Sequence, residues 1–417
     1  MKLSLLLLAA SAAAFPHTHS RSNEPCPFKR HAESLAHSKR SREPVEVTGK
    51  HEFQAPDFDS GDQRGPCPGL NALANHGYIP RSGVVSQVFG MGTDLAMVLA
   101  TLGTVWTGNP LSIDPGFSIG GRDTGVNNIL NNGLGLLGTP RGLDGSHNII
   151  EADSSNTRAD LYVTGDASSL NMTIWQAWYD SFSENGTFSM DMMAERAVAR
   201  LEESKATNPD FYFGPVTGMF IRNAAYIFTS RLFANYSAEA GNEGVLNQEI
   251  ARNLYGVYEE DGELVYRKGW ERLPGNWYRR PTDWGLLDLN VDVLDWTMKH
   301  PSLASIGGNT GTVNSFTGLD FSDLTGGVLN LTTLLEGNNL LCFVFEVLKF
   351  ASPNLLSNIF ETLDAPLELL TGILKSVGLD LVDLDCPAFE DLKVDGKPIW
   401  EALEDLYPGA LKSSSIL

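Results

Sequence analysis

Cysteine is scarce in this chain of 417 residues, with only Cys26, Cys67, Cys342 and Cys386. There is no CxxC, no HxxxH and no His/Cys pair at ligand spacing, so a structural zinc site has no support. Positive charge is also short: 30 Lys and Arg face 51 Asp and Glu, for a formal net charge of −21. Phosphate binding needs clustered basic residues, so nucleic acid is excluded as a partner. Long apolar runs are missing. "LSLLLLAASAAAF" near the N-terminus is too short to span a bilayer, and Gln87 and Asp94 interrupt the apolar stretch 84–106, which argues against a membrane protein. The Gly/Asn-rich loop "GGRDTGVNNILNNGLGLLG" lacks the Gly-Lys-Ser/Thr ending of a phosphate cradle. No internal repeat and no sustained strand alternation occur, which leaves a mainly α fold.

What is present suits an exported globular protein. Hydrophobic residues make up 42% of the chain and charged residues 19%, enough to build a core. Residues 1–14 read as a signal peptide cleaved near Ala14. Residues 15–50 read as a basic linker or propeptide, with Lys29-Arg30 and Lys39-Arg40 as processing sites. Sequons at Asn171, Asn185, Asn235 and Asn330 fit an oxidising export route, to the exterior or to a secretory vesicle. In that compartment the plain expectation for four cysteines is two disulfides. Cys342 and Cys386 share one apolar region, and a bridge between them closes a loop of about 45 residues, worth roughly 4 kcal/mol. Cys26 sits in the linker; if the linker is trimmed, Cys67 loses that partner.

Helical spacing predicts a long buried helix over 84–106, two helices around an Asn-Gly turn over 171–211, and another with an aromatic face over 214–237. Residues 326–385 are leucine-rich with helical periodicity, punctuated by Pro353 and Pro366. The expected division is a helical domain over 51–300 and a helical C-terminal extension over 301–417 that packs on it.

The most informative stretch is "PCPGLNALANHGYIPR", residues 66–81. Cys67 lies between two prolines at the start of a helix-forming run. A thiol there meets the positive end of the helix dipole and free N–H groups, which predicts a lowered pKa. Metal ligand, nucleophile and half of a disulfide all remain open from these residues alone. His76 falls about two and a half turns along the same helix, too far to serve as the base, and reads as a structural hydrogen-bonding residue.

This stretch resembles the signature of the fungal heme-thiolate peroxidases, the chloroperoxidase and unspecific peroxygenase family. The resemblance implies a helical heme domain of chloroperoxidase type, heme b as cofactor, and Cys67 as the axial thiolate of its iron, a ligation that favours O–O cleavage. "EADSS" at 151–155 is similar to the family's Glu-x-Asp-x-Ser motif. By that similarity Glu151, the Ala152 carbonyl and the Ser155 hydroxyl bind Mg or Mn beside a heme propionate, with Asp153 behind them. Oxygen donors suit such a hard cation. "WERLPGNWYRRP" at 270–281 also resembles a family element, and the likeness spans roughly residues 60–275.

The family's distal glutamate moves a proton between the peroxide oxygens. Alignment of "NAAYIF" places Asn223 there, and Val216 where an arginine stands seven residues earlier. An amide hydrogen-bonds but does not shuttle a proton. Arg222 is adjacent but is expected to point elsewhere, and Glu239 and Glu243 are remote substitutes. Phe220, Tyr226 and Phe228 are the expected pocket residues. The resemblance thus implies oxidation of a small organic substrate, such as an aromatic polyketide, by hydrogen peroxide. Two rival readings are a heme-binding protein or oxidase with weak peroxide activation, and a secreted structural protein in which Cys67 is bridged to Cys26.

Overall fold

The computed structural model describes residues 42–85, 117–122, 141–282 and 284–319, and farther on 331–334, 339–340, 342–343, 393–394 and 396–414. The expected signal and linker up to residue 41, Cys26, Asn330, Cys386 and most of the leucine-rich stretch lie outside these residues.

The first helix, α1 (Pro68–Asn75), starts as its sequence dictates. Cys67 is the extended N-cap residue, and Pro68 occupies the first helical position, where a missing N–H costs nothing. The predicted helix over 84–106 does not begin where expected: Val84–Val85 form a strand, β1, paired antiparallel with Phe117–Ser118, β2. Two β-branched residues after Gly83, whose φ is +72°, favour an extended start. The rest of that expected helix is outside the described residues.

After the one-turn α2 (Leu161–Thr164) come the two helices expected around the Asn-Gly turn. They are α3 (Met172–Tyr179) and α4 (Met190–Thr207). Asn171 caps α3 by accepting from the Ile174 N–H, and Ser189 caps α4 by accepting from the Met192 N–H. One face of α4 is buried through Met193, Ala194, Ala197, Arg200, Leu201 and Ser204, the 3–4 spacing of an amphipathic helix.

The region expected as one helix over 214–237 is built in two parts after strand β3 (Tyr212–Phe213). Thr217–Arg222 form a π-helical segment, in which the N–H groups of Met219 and Ile221 reach back five residues to the carbonyls of Gly214 and Val216. Asn223–Leu232 then form α5. Gly218 is required here, because a Cβ would lie 2.7 Å from the Phe213 ring. Helix α5 lies between α4 and α7 (Leu286–Lys299), after α6 (Gln248–Leu254), which packs on α1. A hairpin of β4 (Val257–Glu260) and β5 (Glu263–Tyr266) turns at Asp261-Gly262, both left-handed. Two glycine-bearing strands, β6 (Gly307–Gly308) and β7 (Thr317–Gly318), complete a small sheet on β3.

Trp175, Trp178, Trp296, Tyr226, Phe211 and Phe213 are fully buried and form the bulk of the core. The described end of the C-terminal extension, α8 (Ile399–Leu406) and α9 (Pro408–Ser414), docks on this body. Asn148 donates to Ser413 Oγ at 2.9 Å, Lys412 pairs with Asp210, and Tyr407 donates to the Thr317 carbonyl at 3.0 Å. No helix among the described residues is long and apolar enough to cross a membrane.

Candidate active site around Cys67

Every polar residue of the "LNALANH" run is used to hold Cys67 in place. Asn71 accepts from the Gly65 N–H at 3.0 Å and donates to the Gly65 carbonyl at 2.9 Å, gripping the backbone two residues before the cysteine. It also donates to Glu271 Oε1 at 3.0 Å. Asn75 accepts from Arg64 Nε at 2.9 Å and donates to the carbonyls of Gly269 and Glu271, both at 2.7 Å. His76 sits at 2.6 Å from the His51 carbonyl through Nδ1 and accepts from the Leu273 N–H at 3.2 Å through Nε2. It is therefore the neutral Nδ1–H tautomer and a structural residue, as expected. Burial holds its pKa below the ordinary value. The helix is thus bolted to two distant loops, and Gly65 fits because a Cβ there would lie 2.0 Å from the Ile119 carbonyl.

Cys67 is a free thiol, and Cys26, its partner in the rival reading, lies outside the described residues. The expected depression of its pKa is not found. Burial pushes the thiol up, and the Leu70 N–H and the positive charge of Arg158 oppose it only in part. In the protein by itself desolvation outweighs the helix terminus; a bound cation would reverse the balance.

Two charges stand near the thiol, and sequence reasoning assigned neither. Glu271 and Arg158 are buried, with Arg158 Nη2 at 3.6 Å from Glu271 Oε1. Burial raises the Glu271 pKa, opposed first by Arg158 and then by Asn71. No local motif marks this trio, whose members come from three remote stretches of chain.

The 147–160 segment forms the second part of the site. Glu151 Oε2 is 2.5 Å from His147 Nδ1, and Asp153 Oδ1 is 3.5 Å from His147 Nε2. Burial pulls the His147 pKa down, but Glu151 and Asp153 prevail and lift it to about 9. Ser155 Oγ accepts from the Arg158 N–H at 3.1 Å, and Ala152 is buried. Among the described residues no group of three His, Cys, Asp or Glu is arranged to hold a metal ion. The donor set expected here is of another type, with one carboxylate, one carbonyl and one hydroxyl.

Ser154, with φ of +56°, turns its carbonyl towards α5. There it accepts from Arg222 Nη2 at 3.1 Å and from Tyr226 OH at 2.7 Å. The motif is thereby stitched to the π segment and to α5.

Asn223 follows the π segment directly and is fully buried. Its amide nitrogen donates to the carbonyls of Met219 at 2.7 Å and Leu303 at 2.8 Å. Its oxygen accepts from Arg222 Nη1 at 3.1 Å, so Arg222 folds back onto Asn223 instead of turning away as expected. Glu239 and Glu243 are exposed, and the Glu243 side chain is 91% accessible near Arg231, so neither replaces a distal acid. Of the expected pocket residues, Phe220 and Tyr226 are buried, whereas Phe228 packs edge-on against Trp284. Tyr226 and Phe228 lie two residues apart on a helix and so face different ways.

Of the expected glycosylation sites, Asn185 is exposed on its turn, while Asn171 and Asn235 are half-buried. Cys342 is buried and disulfide-bonded, with its expected partner Cys386 outside the described residues.

The residues fit a charged cofactor. Buried polar atoms without a hydrogen bond gather on or beside the 147–158 segment: His147 Nε2, Asp153 Oδ1, Ser154 Oγ, Asn156 Nδ2, Arg158 Nη2 and Glu271 Oε2. Buried polar groups are ordinarily paired, so such a concentration marks a functional site.

Comparison with known proteins agrees with this arrangement. The family model described as Peroxidase, family 2 matches residues 51–282. The chain is 54% identical to the aromatic peroxidase fscJ of Fusarium equiseti over 91% of this chain and 90% of that protein. It is 39% identical to the dothistromin biosynthesis peroxidase dotB of Dothistroma septosporum over 87% of each. It is also 34% identical to an aromatic peroxygenase of Coprinellus radians over 37% of this chain and 60% of that protein. A match over more than half of the chain, spanning both the clamped cysteine and the 147–160 segment, places this protein in family 2 of the peroxidases, and with it among enzymes that imply a heme cofactor, a peroxide and an organic substrate.

Proposed function

We propose that this protein is a heme-thiolate peroxidase that uses hydrogen peroxide to oxidise an aromatic secondary metabolite, with Cys67 as the axial ligand of heme b. The observation that carries this reading is the clamp on Cys67: Asn71, Asn75 and His76 fix a free thiol at the mouth of α1. Such rigidity serves a ligand that must keep one geometry. The names of two relatives matched over most of the chain, an aromatic peroxidase and a dothistromin biosynthesis peroxidase, support the substrate class.

When bound, the heme supplies the redox chemistry, and its thiolate ligation favours cleavage of the peroxide bond. The chain's own residues do the rest. The Leu70 and Gly69 N–H groups at the start of α1 favour the ionised form of the Cys67 thiol. Glu151, the Ala152 carbonyl and Ser155 would hold a Mg or Mn ion, for which the Glu151 carboxylate would have to leave His147. Arg222 and Tyr226 keep that loop against α5 through the Ser154 carbonyl. The secretory route remains the proposed localisation, with glycans on Asn171, Asn185 and Asn235. The domain boundary stays near residue 300, with the Cys342 bridge closing a loop inside the extension and α9 docking it.

The test is an absorption spectrum of purified, heme-loaded protein, reduced and exposed to carbon monoxide. A strongly red-shifted Soret band that disappears in Cys67→Ser fits the proposal; a band unaffected by that change refutes the ligand. A second reading, a heme protein with slow peroxide activation, is favoured by one observation. Asn223 spends its amide on Met219, Leu303 and Arg222 and offers no acid. Slow single-turnover reaction with peroxide alongside the same red-shifted band would select it.

A further inference from the structure

We propose that Glu271 and Arg158 act as an opposed pair of positioning charges that sets how strongly the Cys67 thiolate donates electrons. The inference rests on Cys67 being the iron ligand. Both side chains are buried, at 0% and 4% exposure, and they face each other at 3.6 Å from elements far apart in sequence. The pair stands beside the ligand: the Asn71 N–H donates to the Cys67 carbonyl at 3.1 Å and the Asn71 amide holds Glu271 Oε1 at 3.0 Å, so a positive and a negative group reach the sulfur's surroundings with opposite sign. Arg158 donates to the Ser168 carbonyl and to Thr157, yet Arg158 Nη2 and Glu271 Oε2 each lack a hydrogen-bond partner, so neither charge is fully satisfied by its neighbours. Asn71 ties the pair mechanically to the ligand, since the same amide holds Glu271 Oε1 and both backbone groups of Gly65. A low-dielectric surround lets such charges act at full strength. Negative charge near the sulfur strengthens donation to iron and positive charge weakens it.

The measurement is the ferric/ferrous reduction potential of the heme-loaded enzyme, together with its carbon monoxide spectrum. Glu271→Gln removes a negative charge with little change in shape and raises the potential. Arg158→Met removes the positive charge and lowers it. Each change is on the order of tenfold in the ferric/ferrous equilibrium constant, about 59 mV for one electron. Arg158→Lys keeps the charge and stays close to the parent. A purely structural role moves both variants the same way, through loosened ligation, so shifts of the same sign, or none, with the thiolate spectrum intact overturn the proposal. If Glu271→Gln does not fold, the contrast between Arg158→Met and Arg158→Lys decides: equal potentials refute it. A parent without the thiolate spectrum overturns the ligand assignment itself, a failure distinct from the others.

Discussion

Asn71→Ala tests whether the clamp, rather than the prolines, fixes Cys67. Asn71 is 2% exposed and makes three hydrogen bonds, two to the Gly65 backbone and one to Glu271. Truncation strands the Gly65 N–H and carbonyl, each at about 1–3 kcal/mol when buried and unpaired. The sum is about 2–6 kcal/mol, and water entering the vacated space places the expected loss near about 3 kcal/mol. That is a large share of a typical net stability of about 5–15 kcal/mol. In urea, with a slope of about 3 kcal/mol/M, the midpoint should fall by about 1 M. Asn71→Asp should be worse than its size suggests, because it sets a carboxylate against Glu271 at the present 3.0 Å contact. Exposed Glu195→Ala on α4 is the control and should shift little. Heme retention should fall with the Asn71 variants and not with the control. A loss under about 1 kcal/mol for Asn71→Ala would refute the clamp, since even one stranded backbone group costs about that much.

Three further predictions use the same geometry. Asn223→Glu should raise peroxide-dependent turnover by about 10²–10⁴-fold in stopped-flow assays, with Arg222 keeping the new carboxylate ionised; unchanged turnover would mean that another group moves the proton. His76 has a pKa below its ordinary value of 6.5, so its contribution to stability is fully present above that pH and is lost as pH falls below it. Urea midpoints from pH 8 to 5 should show this slope in the parent and lose it in His76→Gln; identical slopes would contradict the neutral tautomer. Gly65→Ala must push a Cβ into the Ile119 carbonyl, 2.0 Å away, and should abolish soluble heme-loaded protein; normal expression and spectrum would show that the loop yields.

Cys67 stood out in the sequence because its signature is contiguous, but the clamp that Asn71 and Asn75 make around it did not. Cys67, Asn71, Asn75 and His76 lie within one stretch of ten residues, and one helix presents them all. Glu271, Arg158 and His147 were not legible, because burial gives each its meaning and its partners come from distant chain. The strand at Val84–Val85 defeated a helical period that two β-branched residues do not obey at the start. On the distal side the residue at position 223 was readable, but not its surroundings. An asparagine bonding to carbonyls four and eighty residues away leaves no local pattern.

The π segment carries a consequence for how this enzyme can change. On an α-helix a spacing of seven, as between Val216 and Asn223, returns to nearly the same face. A turn closed by five-residue bonds does not, so Val216 and Asn223 part company here. Such a turn is one residue longer than its α equivalent. Losing a single codon within 217–222 would regularise it and rotate the Asn223–Leu232 helix by about 100° relative to what precedes it. A different side chain would then stand where Asn223 stands, with no base substituted. The residue at that place in the fold can therefore be exchanged by a change of length as readily as by a change of letter.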